Sequence, residues 1–209
     1  MSRFAEQCQG DIAWRISEIA LLKKSTAMPS VSEEMRKILL KYSVPALYAI
    51  WEGFVTSIFS EYVKVINTEN VSMQAIDPKI KTYHSFCELN LASPPSDFSR
   101  KEALVKKMQE HFASNVKLST DIATNSNVDY ASLSAIMQRY GVAPLPEDQY
   151  KGRLSKFLNF RNKIAHGNNS IIMDDSKLNE FSVLISELMD EVFITLNDCV
   201  ENKRYIVQP

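Results

Sequence analysis

The stretch ALYAIWEGFVTSIF, residues 46–59, decides the fold of this 209-residue chain. It is apolar on nearly every side and lies inside a longer run, Glu33 to about Asn67, with apolar residues at intervals of three and four. That spacing is typical of an amphipathic helix, and a helix apolar all round belongs at the centre of a fold. Pro45 is expected to bend this helix or divide it in two, and Gly53 indicates close approach by another helix. The recurring apolar positions are Met35, Ile38, Leu39, Tyr42, Ala46, Ala49, Ile50, Phe54, Ile58 and Tyr62.

Helical spacing recurs on both sides of this run, and strand signals are weak throughout. The sequence therefore predicts an all-α fold: a helical bundle with a long central helix and an irregular middle insertion at about 67–129. We expect one domain over residues 1–209, with a core at about 32–202 and a frayed tail at 203–209. The other expected helices begin and end near residues 4–26, 99–113, 130–140, 146–166 and 174–202. A weaker helical pattern runs from about 71 to 91, with a turn or helix start at Asp77 and Pro78, and a loop is expected at 92–96.

Composition limits the kinds of partner. The chain has 24 Lys and Arg against 25 Asp and Glu, so contact with a nucleic acid must come from a local patch. Five glycines argue against Gly-rich phosphate loops, and no cofactor motif is present. Three widely spaced cysteines favour a reducing cytoplasm. No apolar run is long enough for a membrane span, so no membrane association is expected.

The candidate site is RNKIAHG, residues 161–167, near the end of the helix that runs from about 146. Asn162 and His166 lie four residues apart and share a helix face, and the long Arg161 side chain can reach that face. Histidine exchanges a proton near neutral pH, and arginine grips a phosphate through two nitrogens. This set suits metal-free RNA cleavage in which the 2′-hydroxyl attacks, leaving a 2′,3′-cyclic phosphate and a 5′-hydroxyl.

Positive charge surrounds this motif. Between Gln149 and Met173 the chain has no Asp or Glu, so these basic residues are candidates for RNA binding or for supporting the site. They are Lys151, Arg153, Lys156, Arg161 and Lys163. The alternative to a catalytic role for the histidine is a structural one, because a histidine at a helix end is often a cap or a surface residue.

Two further features have open interpretations. Glu52 interrupts the apolar stretch and, if buried, needs a partner, which Arg161 or Lys163 can supply; otherwise it faces solvent or caps a buried polar network. His84 and Cys87 have the spacing of metal ligands, but no second pair accompanies them, so we predict no metal site.

RNKIAHG together with YAIWEGFV, residues 48–55, resembles the HEPN superfamily, and in particular its RiboL-PSP-HEPN branch of nucleases. The resemblance spans about Ser32 to Asn202. It implies a helical bundle that acts as a homodimer, with two motifs meeting in a composite cleft. By resemblance, His166 transfers protons and Arg161 holds the scissile phosphate. Asn162 orients one of these two side chains.

The resemblance also implies an endoribonuclease in a defence or toxin–antitoxin setting, with an antitoxin or other neutralising protein as a possible partner. Some HEPN toxins have a tyrosine two residues beyond the histidine that a nucleotidyltransferase modifies, but this chain has Asn168 there. The alternative function is a non-catalytic dimeric module that binds RNA, a nucleotide or a protein partner. A purely structural bundle is a third hypothesis.

Overall fold

A computed structural model of the protein describes residues 2–92 and 95–207. The described residues form seven α-helices, one short 3-10 turn at Met73–Ala75 and no sheet, which confirms the all-α prediction. The helices are α1 (Arg3–Thr26), α2 (Glu33–Thr68), α3 (Pro78–Glu88), α4 (Phe98–Ala113), α5 (Tyr130–Arg139), α6 (Glu147–Ala165) and α7 (Asp175–Glu201). None of these helices combines the length and hydropathy that a bilayer-spanning segment requires.

The predicted central helix is α2, against which α1, α6 and α7 all pack. Trp51, Phe54 and Phe59 lie fully buried at its middle. Pro45 does not divide the helix, which is continuous over 36 residues. A single proline removes one backbone hydrogen bond, and the packing of three helices around α2 offsets that loss.

The buried face of the first half of α2 differs from the predicted one. Met35, Ile38 and Tyr42 are half or more exposed, whereas Leu40, Val44, Leu47 and Tyr48 are buried. Where nearly every position is apolar, spacings of three and four fit two neighbouring faces equally well. The neighbouring helices then decide which face is covered, so α2 retains an exposed apolar strip.

The middle insertion is tied to the core by polar contacts. The Asn67 side chain donates to the Leu118 carbonyl at 2.9 Å and accepts from the Leu118 amide at 2.7 Å. The backbone of Val116 adds a hydrogen bond to Val71. The irregular segment after α4 therefore runs alongside α2. The expected loop at 92–96 falls partly on Ser93 and Pro94, which lie outside the described residues.

The expectation of a frayed tail from Lys203 is wrong as far as Val207. Tyr205 is buried, its ring lies edge-on to Tyr62, and its hydroxyl donates to Glu69 at 2.8 Å. The Val207 amide also donates to a backbone carbonyl of the insertion. The buried Tyr205 ring thus fixes a terminal segment that was expected to fray because of its position in the chain.

Gly53 marks a close helix approach, as predicted, and the group that comes close is a side chain. Arg15 of α1 is buried, donates from Nη1 to the Ile50 carbonyl at 2.8 Å, and pairs with Asp11. A Cβ atom on Gly53 would lie 3.0 Å from Arg15 Nη1. The missing side chain therefore makes room for a buried guanidinium between α1 and α2.

Two mid-helix glycines allow this contact to be measured. We expect Gly10→Ala to raise the free energy of unfolding by up to about 1 kcal/mol, because nothing lies within 4 Å of an added Cβ there. We expect Gly53→Ala to lower it by roughly 1 kcal/mol, since displacing Arg15 weakens a buried charged hydrogen bond. Urea denaturation of both variants measures the difference. Equal gains at the two positions would contradict the role assigned to Arg15.

Candidate active site

The sequence motif lies where α6 ends, and Gly167 determines how it ends. Gly167 has φ +75°, its amide donates to the Ile164 carbonyl at 3.0 Å, and the Asn168 amide donates to Lys163 at 2.9 Å. This pair of bonds is the Schellman arrangement, and it makes Gly167 the helix-stopping residue that was predicted. His166 is thereby the last residue before the turn, exposed on the same side of α6 as Asn162.

Arg161 is partly buried and is held by three contacts. Its guanidinium lies 3.7 Å from the centre of the Tyr48 ring. Nη1 donates to Asn162 Oδ1 at 2.8 Å, and Nη2 donates to the Ser126 carbonyl at 3.0 Å. A guanidinium has five N–H donors, so donors remain for a ligand. The structure thus brings Arg161 and Asn162 together and fixes the cation in place.

Tyr48 and Trp51 anchor the backbone beneath Arg161. The Tyr48 hydroxyl accepts from the Val128 amide at 3.0 Å, and Trp51 Nε1 donates to the Val128 carbonyl at 3.1 Å. Burial raises the pKa of Tyr48, so its hydroxyl stays protonated at neutral pH. Both polar groups of a buried residue in the insertion are thereby satisfied by α2 side chains.

The turn that meets Arg161 has an unusual backbone. Asn125 and Ser126 have φ of 53° and 55°, and the Asn127 amide donates to the Thr124 carbonyl at 3.2 Å. Two successive left-handed residues are typical of a type I′ turn, which favours Asn and Gly and strains Ser. This conformation places the Ser126 carbonyl against Arg161. The polar sequence from Asn125 predicts a turn, but nothing local indicates its contact with Arg161.

Glu52 is partly buried, and its partner is neither Arg161 nor Lys163. Its Oε1 accepts from Thr124 Oγ1 at 2.7 Å. Of the two interpretations, a role in a polar network agrees with the structure, because Glu52 holds the same turn that contacts Arg161. Lys163 is exposed, and no carboxylate lies within 4 Å of it among the described residues.

The three remaining basic candidates are ion-paired. Each lies within 2.7 Å of a glutamate oxygen: Lys151 with Glu147, Arg153 with Glu187, and Lys156 with Glu180. The glutamates that neutralise the acid-free stretch therefore lie at the start of α6 and on α7. These exposed pairs contribute little to stability, but they lower the positive charge offered to an RNA.

Lys41 is a cation near the motif that local sequence does not reveal. Its Nζ donates to Asn169 Oδ1 at 3.0 Å, just beyond the end of α6. Lys41 lies seven residues before Tyr48, so both share one face of α2. Helical periodicity could have placed Lys41 on the same face of α2 as Tyr48 once Tyr48 was assigned to the site. No three His, Cys, Asp or Glu side chains cluster as metal ligands within the described ranges.

The fold and the site together define a class: an all-α domain whose long central helix supports an Arg-Asn-x-x-x-His segment at the end of another helix, as in HEPN domains. The family model described as MAE_28990-like HEPN matches residues 4–205, and the chain belongs to this family. Membership of the HEPN superfamily, predicted from the sequence, is confirmed. No curated protein and no solved structure matches the chain.

The anchoring of the turn by Tyr48 can be tested without any assay of activity. We expect Tyr48→Phe to lower the free energy of unfolding by about 1–2 kcal/mol, because the buried Val128 amide loses its acceptor. Tyr83→Phe is the control: it lies on α3, away from the turn, and its hydroxyl has no hydrogen-bond partner among the described residues. Chemical denaturation monitors both, and equal stability of the two variants would contradict the anchoring role.

Proposed function

We propose that this protein is a metal-independent endoribonuclease of the HEPN type. It cleaves RNA by attack of a 2′-hydroxyl on the adjacent phosphorus, which expels the 5′-oxygen and leaves a 2′,3′-cyclic phosphate and a 5′-hydroxyl. The observation that supports this most is the fixed, partly exposed Arg161 guanidinium beside Asn162, with an exposed imidazole at the end of the same helix.

Arg161 is the proposed phosphate-binding group. Stacking on Tyr48 and the bond to Ser126 restrict its side chain before any ligand binds. A cation fixed in advance stabilises charge that develops on the phosphate without the cost of reorganisation. Lys41 and Lys163 lie nearby without carboxylate partners and add to the local positive potential.

His166 is the proposed proton-transfer group. The reaction removes a proton from the 2′-hydroxyl and delivers one to the departing 5′-oxygen, so an acid and a base act on opposite sides of the phosphorus. Two further titratable side chains near Arg161, Glu52 and Tyr48, are already bonded to the turn that holds it. One copy of the chain therefore offers one free imidazole, and a second copy would supply the second.

The exposed apolar strip of α2 supports pairing with a second copy. Ile38 and Tyr42 are exposed beside Lys41, the residue that contacts the loop beyond His166. The strip continues into a groove of about 540 Å³ between α1 and α2, whose walls include Trp14, Leu21 and Ala49. Contiguous exposed apolar surface of this kind marks an interaction site. We infer a homodimer in which this face brings two motifs together in a composite cleft.

The setting is proposed from the family resemblance. A nuclease of this type would act in the cytoplasm, in a defence or toxin–antitoxin system, and an antitoxin or other neutralising protein would restrain it. Three free thiols, of which Cys8 and Cys199 are buried, accord with a reducing compartment.

A non-catalytic dimeric module that binds RNA, a nucleotide or a protein is the second candidate. One observation favours it: neither ring nitrogen of His166 has a hydrogen-bond partner among the described residues, so nothing within one chain fixes its tautomer. In this hypothesis Arg161 binds a phosphate and no bond is broken. Salt-sensitive RNA binding without cleavage would identify such a module.

Removal of the imidazole tests the chemistry. We expect His166→Ala to lower RNA cleavage in the presence of EDTA by about 100-fold or more, because one proton-transfer group is lost. Gln109→Ala is the control, an exposed residue on α4 outside the motif helix, and it should retain full activity. End-group analysis of the wild-type fragments should show the cyclic phosphate and the 5′-hydroxyl.

Two results would contradict this chemistry: cleavage that survives His166→Ala, or cleavage that stops when divalent metal is removed. Circular dichroism of the variants shows whether a lost activity reflects a lost fold. Absence of cleavage by every form of the protein, with RNA binding intact, would favour the non-catalytic module.

A charge placed on the apolar face tests the dimer. We expect wild-type protein to scatter light as twice the 23.8 kDa chain, and Ala49→Glu to behave as a monomer with little nuclease activity. Ala131→Glu, on an exposed part of α5, should change neither property. Full cleavage by a monomeric wild-type protein would contradict the composite cleft.

A further inference from the structure

A second recess lies between α3, α5 and the segment 119–123, away from the apolar face. It is a cavity of about 150 Å³. Three aromatic side chains line it, Tyr83, His84 and Tyr140, together with the charged groups of Asp121 and Arg139. Exposed residues at Cys87, Asp121 and Ala123 form its rim, so the cavity opens to the solvent. Nothing in the proposed cleavage chemistry uses these residues.

His84 is the most informative residue of this cavity. Its Nε2 atom is buried and has no hydrogen-bond partner among the described residues. Burial lowers the pKa of His84 to about 4, so the ring is neutral at physiological pH. The Tyr140 ring lies 5.5 Å away and the Tyr83 ring 5.2 Å away. Because Nε2 is closed off from the solvent, the part of His84 that lines the cavity is the flat, uncharged ring, beside two tyrosine rings.

The size and lining of the cavity limit what that partner can be. A cavity of about 150 Å³ takes up a single six-membered ring such as benzene. Asp121 offers a hydrogen-bond acceptor, and Arg139, whose guanidinium lies 4.9 Å from the centre of the Tyr83 ring, offers donors. The edge of a nucleobase carries donors and acceptors together. A pyrimidine fits this volume, whereas the two fused rings of a purine exceed it.

The cavity is connected to the Arg161 site by one short piece of chain. Ala123 is on the rim, Thr124 bonds to Glu52, and the Ser126 carbonyl accepts from Arg161 at 3.0 Å. Only two residues lie between Ala123 and Ser126, so these two positions are roughly 10 Å apart at most. The rim of the cavity and the carbonyl that contacts Arg161 therefore belong to one short segment of chain.

We propose that this cavity binds a pyrimidine base of the RNA strand held at Arg161, and thereby gives the site a preference for pyrimidines. The proposal rests on the proposed binding of RNA at Arg161, but not on its cleavage. The base lies among the Tyr83, His84 and Tyr140 rings, and its polar edge pairs with Arg139 or Asp121.

Binding to short homopolymers tests the preference directly. In protein with His166→Ala, which prevents cleavage, fluorescence anisotropy should show hexauridylate binding about tenfold more tightly than hexaadenylate. Ala123→Phe and Cys87→Phe fill the mouth from opposite walls, and each should bring hexauridylate to the affinity of hexaadenylate. Ala143→Phe, another exposed loop alanine, should leave the tenfold difference unchanged.

Cys87 provides an independent readout. It is exposed on the rim, whereas Cys8 and Cys199 are buried, and burial raises the pKa of both. Iodoacetamide should therefore alkylate the native protein at Cys87 first. Hexauridylate, and free uridine at high concentration, should slow that alkylation several-fold, while hexaadenylate and adenosine should not. Peptide mapping identifies the modified residue.

The outcomes separate this proposal from the nuclease. Equal affinities for the two homopolymers, unaffected by either mouth-filling variant, would overturn the pyrimidine site while leaving RNA binding at Arg161 intact. Protection of Cys87 by uridine but not by hexauridylate would overturn the link to the RNA strand. Binding of neither homopolymer, with the protein folded, would contradict RNA recognition at Arg161 itself.

Discussion

The contact between the Arg161 guanidinium and the Tyr48 ring connects the site to the core. Stacking of this kind contributes roughly 0.5–2 kcal/mol, depending on how far water is excluded. Its geometric effect matters more, because Tyr48 is buried and cannot move without disturbing α2. A long, flexible side chain is thereby reduced to one position, with donors still available for a ligand. Without this stacking, Arg161 would be an ordinary surface cation.

The central helix presents one face to the turn of the insertion, one to α1 and one to the solvent. Tyr48, Trp51 and Glu52 hold the turn of the insertion, Gly53 gives space to the Arg15 guanidinium, and Ile38 and Tyr42 remain exposed. This explains why its sequence is apolar nearly all round yet contains a glutamate and a glycine. Each interruption lies where α2 meets a polar partner, and neither is a defect of the helix.

The sequence was informative where local rules decide the structure. Helix spacing located the seven helices, and Gly167 predicted the helix end that exposes His166. The sequence did not predict the features that depend on tertiary contacts. The ion pairs of Lys151, Arg153 and Lys156 depend on how α6 lies against α7 and on its own first turn. The contact of Ser126 with Arg161 joins residues 35 apart, which no local pattern specifies. Tyr205 is buried because its ring packs on Tyr62 and its hydroxyl donates to Glu69. Both partners lie far from the tail in sequence, so the tail's own residues do not predict these contacts.

Three local departures from stable packing lie in the molecule, and two of them border one segment. Ser126 adopts a left-handed conformation, His84 keeps a buried nitrogen unpaired, and α2 leaves apolar surface exposed. Each feature costs stability, and such costs persist in proteins chiefly at functional sites. The segment 119–128 joins the first two, since it borders the His84 cavity at one end and contacts Arg161 at the other. A purely structural bundle would gain nothing from a strained turn against a fixed cation, whereas the proposed RNA site would use that turn to hold Arg161 in place.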